Sequence, residues 1–301
     1  MKAVLLADYG DVDQLELRDV PAPTVGPGDV KVRVAGASIN PIDWKLRSGS
    51  ARGRMPLELP AILGRDASGE VVDVGLGVSR YRAGDRVLGL VMGSYAELVV
   101  ANEEAWTVLP PGLDLVDAAA IPLVALTGCQ LIDIAVEPRR GDTLLITGAT
   151  GSVGRVAVFI AKERGATVWA GVRRKHLDAA ARLGADEVVA IDDDAEIARI
   201  PPLHAIADTV GGDTTQKLLG RLEPGGTVGS VVGEPAGAKQ RGFVVRAFMA
   251  HPDSASLGHV ARAVAEGRLV LPIATRLPLE EIRKATTIAE KGTEGKVILR
   301  V

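Results

Sequence analysis

The sequence predicts an α/β protein in which a compact β-rich region precedes a doubly wound parallel sheet. Up to about residue 110, short apolar runs of strand length are separated by turn residues such as Gly26-Pro27-Gly28-Asp29. After Pro110-Pro111-Gly112, apolar runs alternate instead with helical stretches rich in Ala, Leu, Lys and Glu. Successive strands joined by helices indicate a parallel sheet, because parallel pairs need crossover connections.

The individual elements follow from these patterns. The first region carries β-branched strand segments at 29–39 and 68–74. In the second region we predict helices at 122–135, 152–164, 175–183 and 213–220, and strands at 142–147, 167–172, 186–190, 204–208 and 226–232. The tail has helix signals at 254–266 and 279–290 and a closing strand at 296–301, which is compatible with a return to the first region.

Composition excludes several classes of function. A chain of 301 residues with 47% apolar residues suits one large domain or two intimate ones. The net charge of −3 and the absence of a basic tract argue against a nucleic-acid or acidic-membrane partner. The N-terminus lacks the length of a signal peptide, and Pro122 interrupts the apolar run 118–126. We therefore predict a cytoplasmic protein without a membrane segment.

The metal-ligating residue types are sparse. Cys129 is the single cysteine, which excludes an internal disulfide and any site built from several cysteines. The four histidines are scattered, and we interpret them as surface or helix residues. No metal site is predicted.

The strongest motif is a buried strand at 142–147 that leads into a glycine-rich turn and then a helix. Gly148 and Gly151 permit a tight turn and close approach to a pyrophosphate, and Gly154 lets the helix pack on its strand. The helix N-terminus offers free N–H groups to phosphate. We predict a dinucleotide site formed by Gly148, Ala149, Thr150, Gly151, Ser152, Val153 and Gly154. The alternative is an ordinary strand-to-helix turn.

The residues after the second strand of this unit favour NADP(H) over NAD. NAD sites usually place an acidic residue there for the ribose 2′-hydroxyl. This chain has Arg173-Arg174-Lys175 instead, and guanidinium groups suit a 2′-phosphate. The alternative interpretation is a solvated basic helix start.

Several further motifs together give the chain a family resemblance. They are Ala37–Gly49, Leu63–Val71, Gly93-Ser94-Tyr95-Ala96-Glu97, Leu126-Thr127, Leu183–Asp186, Asp208–Gly212 and Gly295-Lys296-Val297. With the glycine turn, they resemble the medium-chain dehydrogenase/reductase superfamily, in its zinc-free quinone oxidoreductase and enone reductase branch. The resemblance implies a GroES-like β-barrel catalytic domain at 1–113, completed by 267–301, and a Rossmann domain at 114–266, with the active site in the cleft.

The resemblance also bears on metal chemistry. Zinc-dependent relatives have a cysteine where Asn40 stands and a His-Glu pair where Arg65 and Asp66 stand. Without those ligands no metal polarises an alcohol, so the predicted acceptor is already electrophilic: a quinone or an α,β-unsaturated carbonyl. We interpret Arg65-Asp66 as a buried salt bridge in place of the metal pair.

Site residues follow from the same match. Asn40 and Asp43 border the nicotinamide and substrate in the family, and Thr127 resembles a contact of the nicotinamide ribose. Lys45 is a candidate to stabilise an enolate, and Tyr95 is a candidate donor to substrate. The predicted cofactor set also includes Val210, Val232 and Gly233. The alternatives are a turn start for Asn40, a helix cap for Asp43, a solvated helix residue for Lys45 and a cleft-wall aromatic for Tyr95.

Two other classes of function remain to be weighed. A non-catalytic NADPH-binding structural or regulatory protein of the same fold is the main alternative. A short-chain epimerase or reductase is disfavoured, because its turn would follow the first strand of the protein and precede a Tyr-x-x-x-Lys pair. The resemblance further implies a homodimer through an edge strand near Phe243 to Phe248.

Overall fold

The computed structural model describes all 301 residues. The strands are β1 (Lys2–Leu6), β2 (Leu15–Asp19), β3 (Asp29–Ser38), β4 (Ala61–Ile62), β5 (Asp66–Val74), β6 (Arg86–Leu90), β7 (Leu98–Asn102), β8 (Trp106–Val108), β9 (Thr143–Thr147), β10 (Thr167–Val172), β11 (Glu187–Ala190), β12 (Leu203–Asp208), β13 (Leu222–Ser230), β14 (Val244–Ala247), β15 (Ile273–Pro278) and β16 (Lys296–Arg300). The helices are α1 (Pro41–Arg47), α2 (Pro122–Gln130), α3 (Ser152–Glu163), α4 (Leu177–Ala180), α5 (Asp194–Ala198), α6 (Gly212–Leu218), α7 (Ser254–Ala265) and α8 (Ile282–Glu290).

The chain divides into two compact units, and the first combines both ends of the sequence. It comprises residues 1–123 and 251–301. Its larger sheet has the order β15-β16-β3-β5-β6-β8, with β7 also paired to β3, and a smaller sheet has the order β2-β1-β4. Apart from the parallel pair β15–β16, these pairings are antiparallel. The predicted GroES-like β-rich fold is confirmed, and both ends of the chain lie in this unit.

The boundaries of the first unit differ from 1–113 and 267–301. The tail belongs to this unit from His251 onward, so α7 is part of it. The reason is close packing: a Cβ on Gly258 of α7 would lie 2.9 Å from the Thr107 hydroxyl oxygen on β8. A helix that packs this closely on a strand belongs to that strand's unit, whatever its distance along the chain.

The second unit, residues 124–250, is a parallel sheet of six strands with helices between them. Its order is β11-β10-β9-β12-β13-β14, and every pairing is parallel. The strand order therefore reverses at β9, which places a switch point at the carboxyl ends of β9 and β12, where such sheets bind ligands. A core that includes Leu145, Ile206 and Val228 fills this unit. The predicted Rossmann domain is confirmed.

The structure adds α5, which the sequence pattern did not indicate, and it differs from the sequence expectation at two further places. The helix predicted at 175–183 is a short α4 after a 3₁₀ turn, and tighter bonds such as Leu183 N to Ala180 O (3.0 Å) replace its last turn. Pro122 does not interrupt the apolar segment, because it lies at the first position of α2, where a missing N–H is tolerated.

The segment Asp117–Val136 is long and apolar enough to span a membrane. However, 78% of its apolar 18-residue stretch is buried inside the protein, as in a core helix.

Candidate active site

Six polar side chains form a cluster in the interior of the first unit. We call this the buried polar cluster; its members, all at most 6% exposed, are Ser38, Asn40, Asp43, Asp66, Tyr95 and Lys296. They come from the end of β3, the start of α1, the start of β5, the segment after β6 and the start of β16. Because buried polar groups cost free energy unless they are paired, the contacts among these side chains determine which conformation each one adopts.

The start of α1 places Asn40 and Asp43 together. Asn40 precedes the helix in an extended conformation, and its backbone N–H donates to Asp43 Oδ2 at 2.8 Å. The Tyr95 hydroxyl donates to the same oxygen at 2.9 Å. The structure thus brings three of the predicted catalytic residues into direct contact, and it also gives Asp43 the cap role that the sequence left open.

Asp43 and Tyr95 are strongly perturbed by this setting. Burial raises the pKa of Asp43 to about 6, against the opposing effect of the hydrogen bonds from Asn40 and Tyr95. Burial and the neighbouring Asp43 raise the pKa of Tyr95 well above its usual value. Asp43 Oδ1 is buried without a hydrogen-bond partner. A proton on this carboxyl therefore belongs on Oδ1, because Oδ2 already accepts two hydrogen bonds.

Asp66 is the most densely bonded member of the cluster. Its Oδ2 accepts from the Ser38 hydroxyl at 2.5 Å and from Asn40 Nδ2 at 2.7 Å, and it lies 3.5 Å from Lys296 Nζ. Its Oδ1 accepts from the backbone N–H of Leu123 at 2.6 Å. The predicted salt bridge of Arg65 with Asp66 is therefore wrong: Asp66 pairs with Lys296. Arg65 donates its Nε–H to the backbone oxygen of Val91 at 3.1 Å.

The remaining predicted residue of this unit, Lys45, lies outside the cluster. Its side chain is exposed on α1, and the adjacent residue, Trp44, is half-buried. The residues on α1 that face the interior are Asp43, Leu46 and Arg47.

The glycine turn of the second unit has the geometry that the motif predicts. Gly148 has a φ of 63°, and the Gly151 N–H donates to Gly148 O at 2.9 Å, which closes the turn. Gly151 precedes α3 in an extended conformation without a side-chain cap, so the N-terminal amides of α3 are not consumed by a capping side chain. A Cβ on Gly154 would lie 2.3 Å from Gly148 O, so only glycine fits there.

Asp208 braces this turn from the adjacent strand. It is fully buried at the end of β12, and its Oδ1 accepts from the Thr147 and Thr215 hydroxyls at 2.9 and 2.8 Å. The Thr209 hydroxyl donates to Thr147 O at 2.7 Å. The carboxyl ends of β9 and β12 are thereby joined by side chains as well as by the sheet.

The predicted contacts after β12 and β13 lie at this same end of the sheet. Val210 and Val232 are 45% and 40% exposed, unusual values for valines beside a glycine turn. A Cβ on Gly148 would lie 3.1 Å from Val210 Cγ2. Val232 and Gly233 line a pocket of about 290 Å³ with Asp208. Val232 is thus an exposed apolar side chain at the edge of this pocket.

The two arginines after β10 have different surroundings. The Arg174 guanidinium pairs with the Asp193 carboxylate, and its backbone N–H donates to Asp192 Oδ1 at 2.8 Å. Arg173 is exposed, and no hydrogen bond or ion pair engages its guanidinium. The predicted pair thus consists of one free guanidinium, Arg173, and one that is paired with a carboxylate, Arg174.

The predicted nicotinamide-ribose contact, Thr127, is buried in α2, at 9% exposure.

Comparisons with known proteins give the family. Residues 26–111 match the model of the alcohol dehydrogenase GroES-like domain, and residues 183–299 match that of the zinc-binding dehydrogenase. The chain is 32% identical to a quinone oxidoreductase of Pseudomonas aeruginosa over 99% of both proteins. It belongs to the quinone oxidoreductase family of the medium-chain dehydrogenase/reductase superfamily. This family membership confirms the resemblance and rules out the short-chain interpretation.

Other members of the family extend the comparison. The structure of the quinone oxidoreductase from Coxiella burnetii matches all of this chain and 99% of its own length, with a TM-score of 0.88 and 30% identity. A mouse mitochondrial NAD(P)H oxidoreductase, RTN4IP1, is 30% identical over 91% of this chain. The chain spans 60% of the length of a spinach chloroplast quinone-oxidoreductase homolog, with 34% identity. These relatives are named as quinone oxidoreductases or NAD(P)H oxidoreductases.

Zinc-binding dehydrogenases hold a metal ion, and the residues of this chain differ from a metal site. No group of three or more His, Cys, Asp and Glu side chains is arranged to hold a metal ion. The carboxylate nearest to such a role, Asp66, has its oxygens occupied by hydrogen bonds, and the Lys296 ammonium lies 3.5 Å away. An ammonium in this position repels a second cation. These residues do not fit zinc.

Sequence reasoning missed the roles of Lys296 and Asp208. Lys296 was part of a matching motif, but nothing local indicates its partners, since Asn40 lies 256 residues away along the chain. One signal was available in the strand Lys296–Arg300. A lysine begins an apolar run that is typical of a buried strand, and a buried lysine needs a charged or polar partner.

Proposed function

We propose that this protein transfers hydride from NADPH to a quinone or an α,β-unsaturated carbonyl, without zinc. The observation that carries the proposal lies at the carboxyl edge of the second sheet: the glycine turn and the uncapped α3 amides follow β9, beside the switch point, and the free Arg173 follows the neighbouring β10. A dinucleotide with an additional phosphate matches that distribution of donors and charge.

The residues of the second unit are proposed to hold the nucleotide. The amides of residues 148–154 bind the pyrophosphate, and Arg173 binds the 2′-phosphate. Thr127, Val210, Val232 and Gly233 are proposed to contact the nicotinamide half. When bound, NADPH supplies the hydride.

The choice of NADPH over NADH rests on this chain's own charges. The fold alone does not decide it, because an NAD-dependent alcohol dehydrogenase matches the whole chain with a TM-score of 0.85 and 28% identity. No carboxylate follows β10 directly, and the two acidic residues nearby, Asp192 and Asp193, bind Arg174. A 2′-phosphate would meet Arg173 without first displacing a partner.

The acceptor needs a proton as well as a hydride, and Asp43 is the proposed source. Its Oδ1 is the one polar atom of the buried polar cluster without a hydrogen-bond partner. A carboxyl with a pKa of about 6 is largely protonated below that pH and keeps a minor protonated fraction at neutral pH, and the protonated form can release its proton to a developing oxyanion. Because the Tyr95 proton points to Asp43 Oδ2, the role of Tyr95 in this proposal is to orient Asp43.

The other two candidates have distinct proposed roles. Asn40 fixes the start of α1 and thereby the position of Asp43 against the substrate. Lys45 stays a prediction as an electrostatic stabiliser of the reduced acceptor, since it is exposed and separate from the cluster. Zinc independence rests on the poor fit of the cluster to a metal ion.

A substrate panel tests the proposal against the non-catalytic alternative. The purified protein is incubated with NADPH or NADH and with simple quinones and short enones, and oxidation of the nucleotide is followed at 340 nm. Turnover with NADPH that survives treatment with a zinc chelator supports the proposal. NADPH uptake in calorimetry without turnover on any acceptor supports the structural or regulatory role instead.

The proposed homodimer uses the free edge of the second sheet. The strand β14 is the last of the six strands, and Val244 on it is 42% exposed. Met249, just beyond the strand, is 53% exposed. Unpaired edges with exposed apolar side chains are sites of strand pairing between subunits.

The cytoplasmic location of this protein stays a prediction, since its relatives include chloroplast and mitochondrial proteins.

A further inference from the structure

The side-chain amide of Asn40 is held on both sides by charged partners. Its Nδ2 donates to Asp66 Oδ2 at 2.7 Å and approaches Ser38 O at 3.4 Å. Its Oδ1 accepts a short hydrogen bond from Lys296 Nζ. A flipped amide would place its NH₂ against the ammonium and its oxygen against the carboxylate. The charge pair of Lys296 and Asp66 therefore permits one orientation.

The position of Lys296 is itself specified by the backbone. Its N–H donates to Pro272 O at 2.8 Å, and β16 runs antiparallel to β3 with Ile298 opposite Ser38. The preceding Gly295 has a φ of 127°, and a Cβ there would lie 2.6 Å from Pro272 O. A larger residue at 295 would displace the start of β16, and the ammonium with it.

We infer that Lys296 is a positioning residue, whose ammonium neutralises Asp66 and locks Asn40 so that α1 begins in the conformation that presents Asp43. The inference rests on the proposed function for its catalytic consequence. Its structural content stands on the hydrogen bonds alone: Lys296 to Asn40, Asn40 to Asp66, and the Asn40 N–H to Asp43 Oδ2.

The electrostatic setting makes the inference testable through Asp43. The ionisable groups that face Asp43 are Tyr95, Asp66 and Lys296. Asp66 raises the pKa of Asp43 and Lys296 lowers it. Loss of the ammonium should therefore move the pKa of Asp43 upward, whereas loss of the Asp66 charge should move it downward.

The experiment compares Lys296→Met, Lys296→Arg, Asp66→Asn and the double variant Lys296→Met with Asp66→Asn. Lys291→Met, which removes an exposed lysine from the same tail, is the matched control. For Lys296→Met we expect kcat with NADPH and a quinone to fall on the order of 100-fold, because small misplacements of reacting groups have effects of this size. The dissociation constant for NADPH should stay within about twofold, because the second unit is unchanged.

Three further readouts separate positioning from a general loss of stability. The pH at which the rate declines as Asp43 loses its proton should be higher in Lys296→Met and lower in Asp66→Asn. Lys296→Arg should restore part of kcat. If Lys296→Met folds poorly, the double variant replaces it, because it leaves neither charge buried without a partner; its melting temperature should approach that of the wild type while kcat stays low.

Backbone hydrogen exchange decides the inference even without an active wild type. We expect faster exchange at Asn40 and Asp43 in the Lys296→Met or double variant, and no change in Lys291→Met. Wild-type kcat, or unchanged protection at these two amides, in a folded variant without Lys296 would overturn the inference. A wild type that neither binds nor oxidises NADPH would overturn the proposed function, while the exchange result would still stand on its own.

Discussion

The unequal surroundings of Arg173 and Arg174 predict unequal contributions to cofactor choice. Arg173 is exposed and unpaired, whereas the Arg174 guanidinium is bound to Asp193. Hydrogen bonds to charged groups contribute about 1.5 to 3 kcal/mol. Arg173→Ala should therefore weaken NADPH binding roughly 10- to 100-fold and leave NADH binding nearly unchanged.

The contribution of Arg174 should be smaller, because it must leave its partner to reach a phosphate. Exposed ion pairs are weak, so this competition lowers the affinity for NADPH at most roughly fivefold. Arg174→Ala should therefore weaken NADPH less than Arg173→Ala does. Asp193→Asn, which releases Arg174, should strengthen NADPH binding by up to about fivefold.

The assay is isothermal titration calorimetry with NADPH and NADH in parallel at one ionic strength, because salt screens these contacts. Arg199→Ala is the control, since it removes a guanidinium of the same unit that pairs with Glu196. Equal losses for both nucleotides, or a larger effect of Arg174→Ala than of Arg173→Ala, would refute the assignment of Arg173 to the 2′-phosphate.

Three further predictions follow from the geometry. Asp43→Asn should lower kcat by about 10² to 10⁴. In pH–rate profiles, the wild-type rate should decline as pH rises through about 6, because Asp43 loses its proton, and this decline should be absent from the variant. Because the pKa of Asp43 is raised from 3.8 to about 6, the fold should lose roughly 3 kcal/mol of stability in total as pH rises from well below 4 to well above 6, and this loss should be absent from Asp43→Asn in denaturant titrations. Gly154→Ala should cost about 1 to 3 kcal/mol and weaken NADPH, because its Cβ meets Gly148 O, whereas Gly220→Ala, with open space around it, should be neutral by melting and calorimetry. Val244→Lys should convert a dimer to monomer by light scattering, because a charged lysine on an edge strand opposes pairing with a second strand; an unchanged mass would exclude this edge as the interface.

The elements of the second unit were predictable because their signals are local. The glycine turn and α3 lie within 16 consecutive residues, 148–163, and the alternation of strands with helices predicted the parallel sheet. The wrong prediction at α4 has a local cause as well. Short polar stretches carry little periodic signal, so the sequence pattern did not indicate that α4 ends at Ala180.

The buried polar cluster was only partly predictable. The capping interaction of Asp43 with Asn40 is encoded within four residues, and the sequence analysis considered it. The Arg65–Asp66 pairing was wrong, because adjacent residues on a strand point to opposite faces, so Asp66 turns to Lys296 and Arg65 to Val91.

By itself, the sequence determined the two-part architecture, the phosphate-binding turn and the basic character of the segment after β10. The tertiary structure alone decided which charges are free and which are paired: Arg174 pairs with Asp193, 19 residues away, and Lys296 pairs with Asp66, 230 residues away. The physical reason is that a backbone conformation is set mainly by near neighbours, whereas burial and charge compensation depend on residues that only the folded chain brings together.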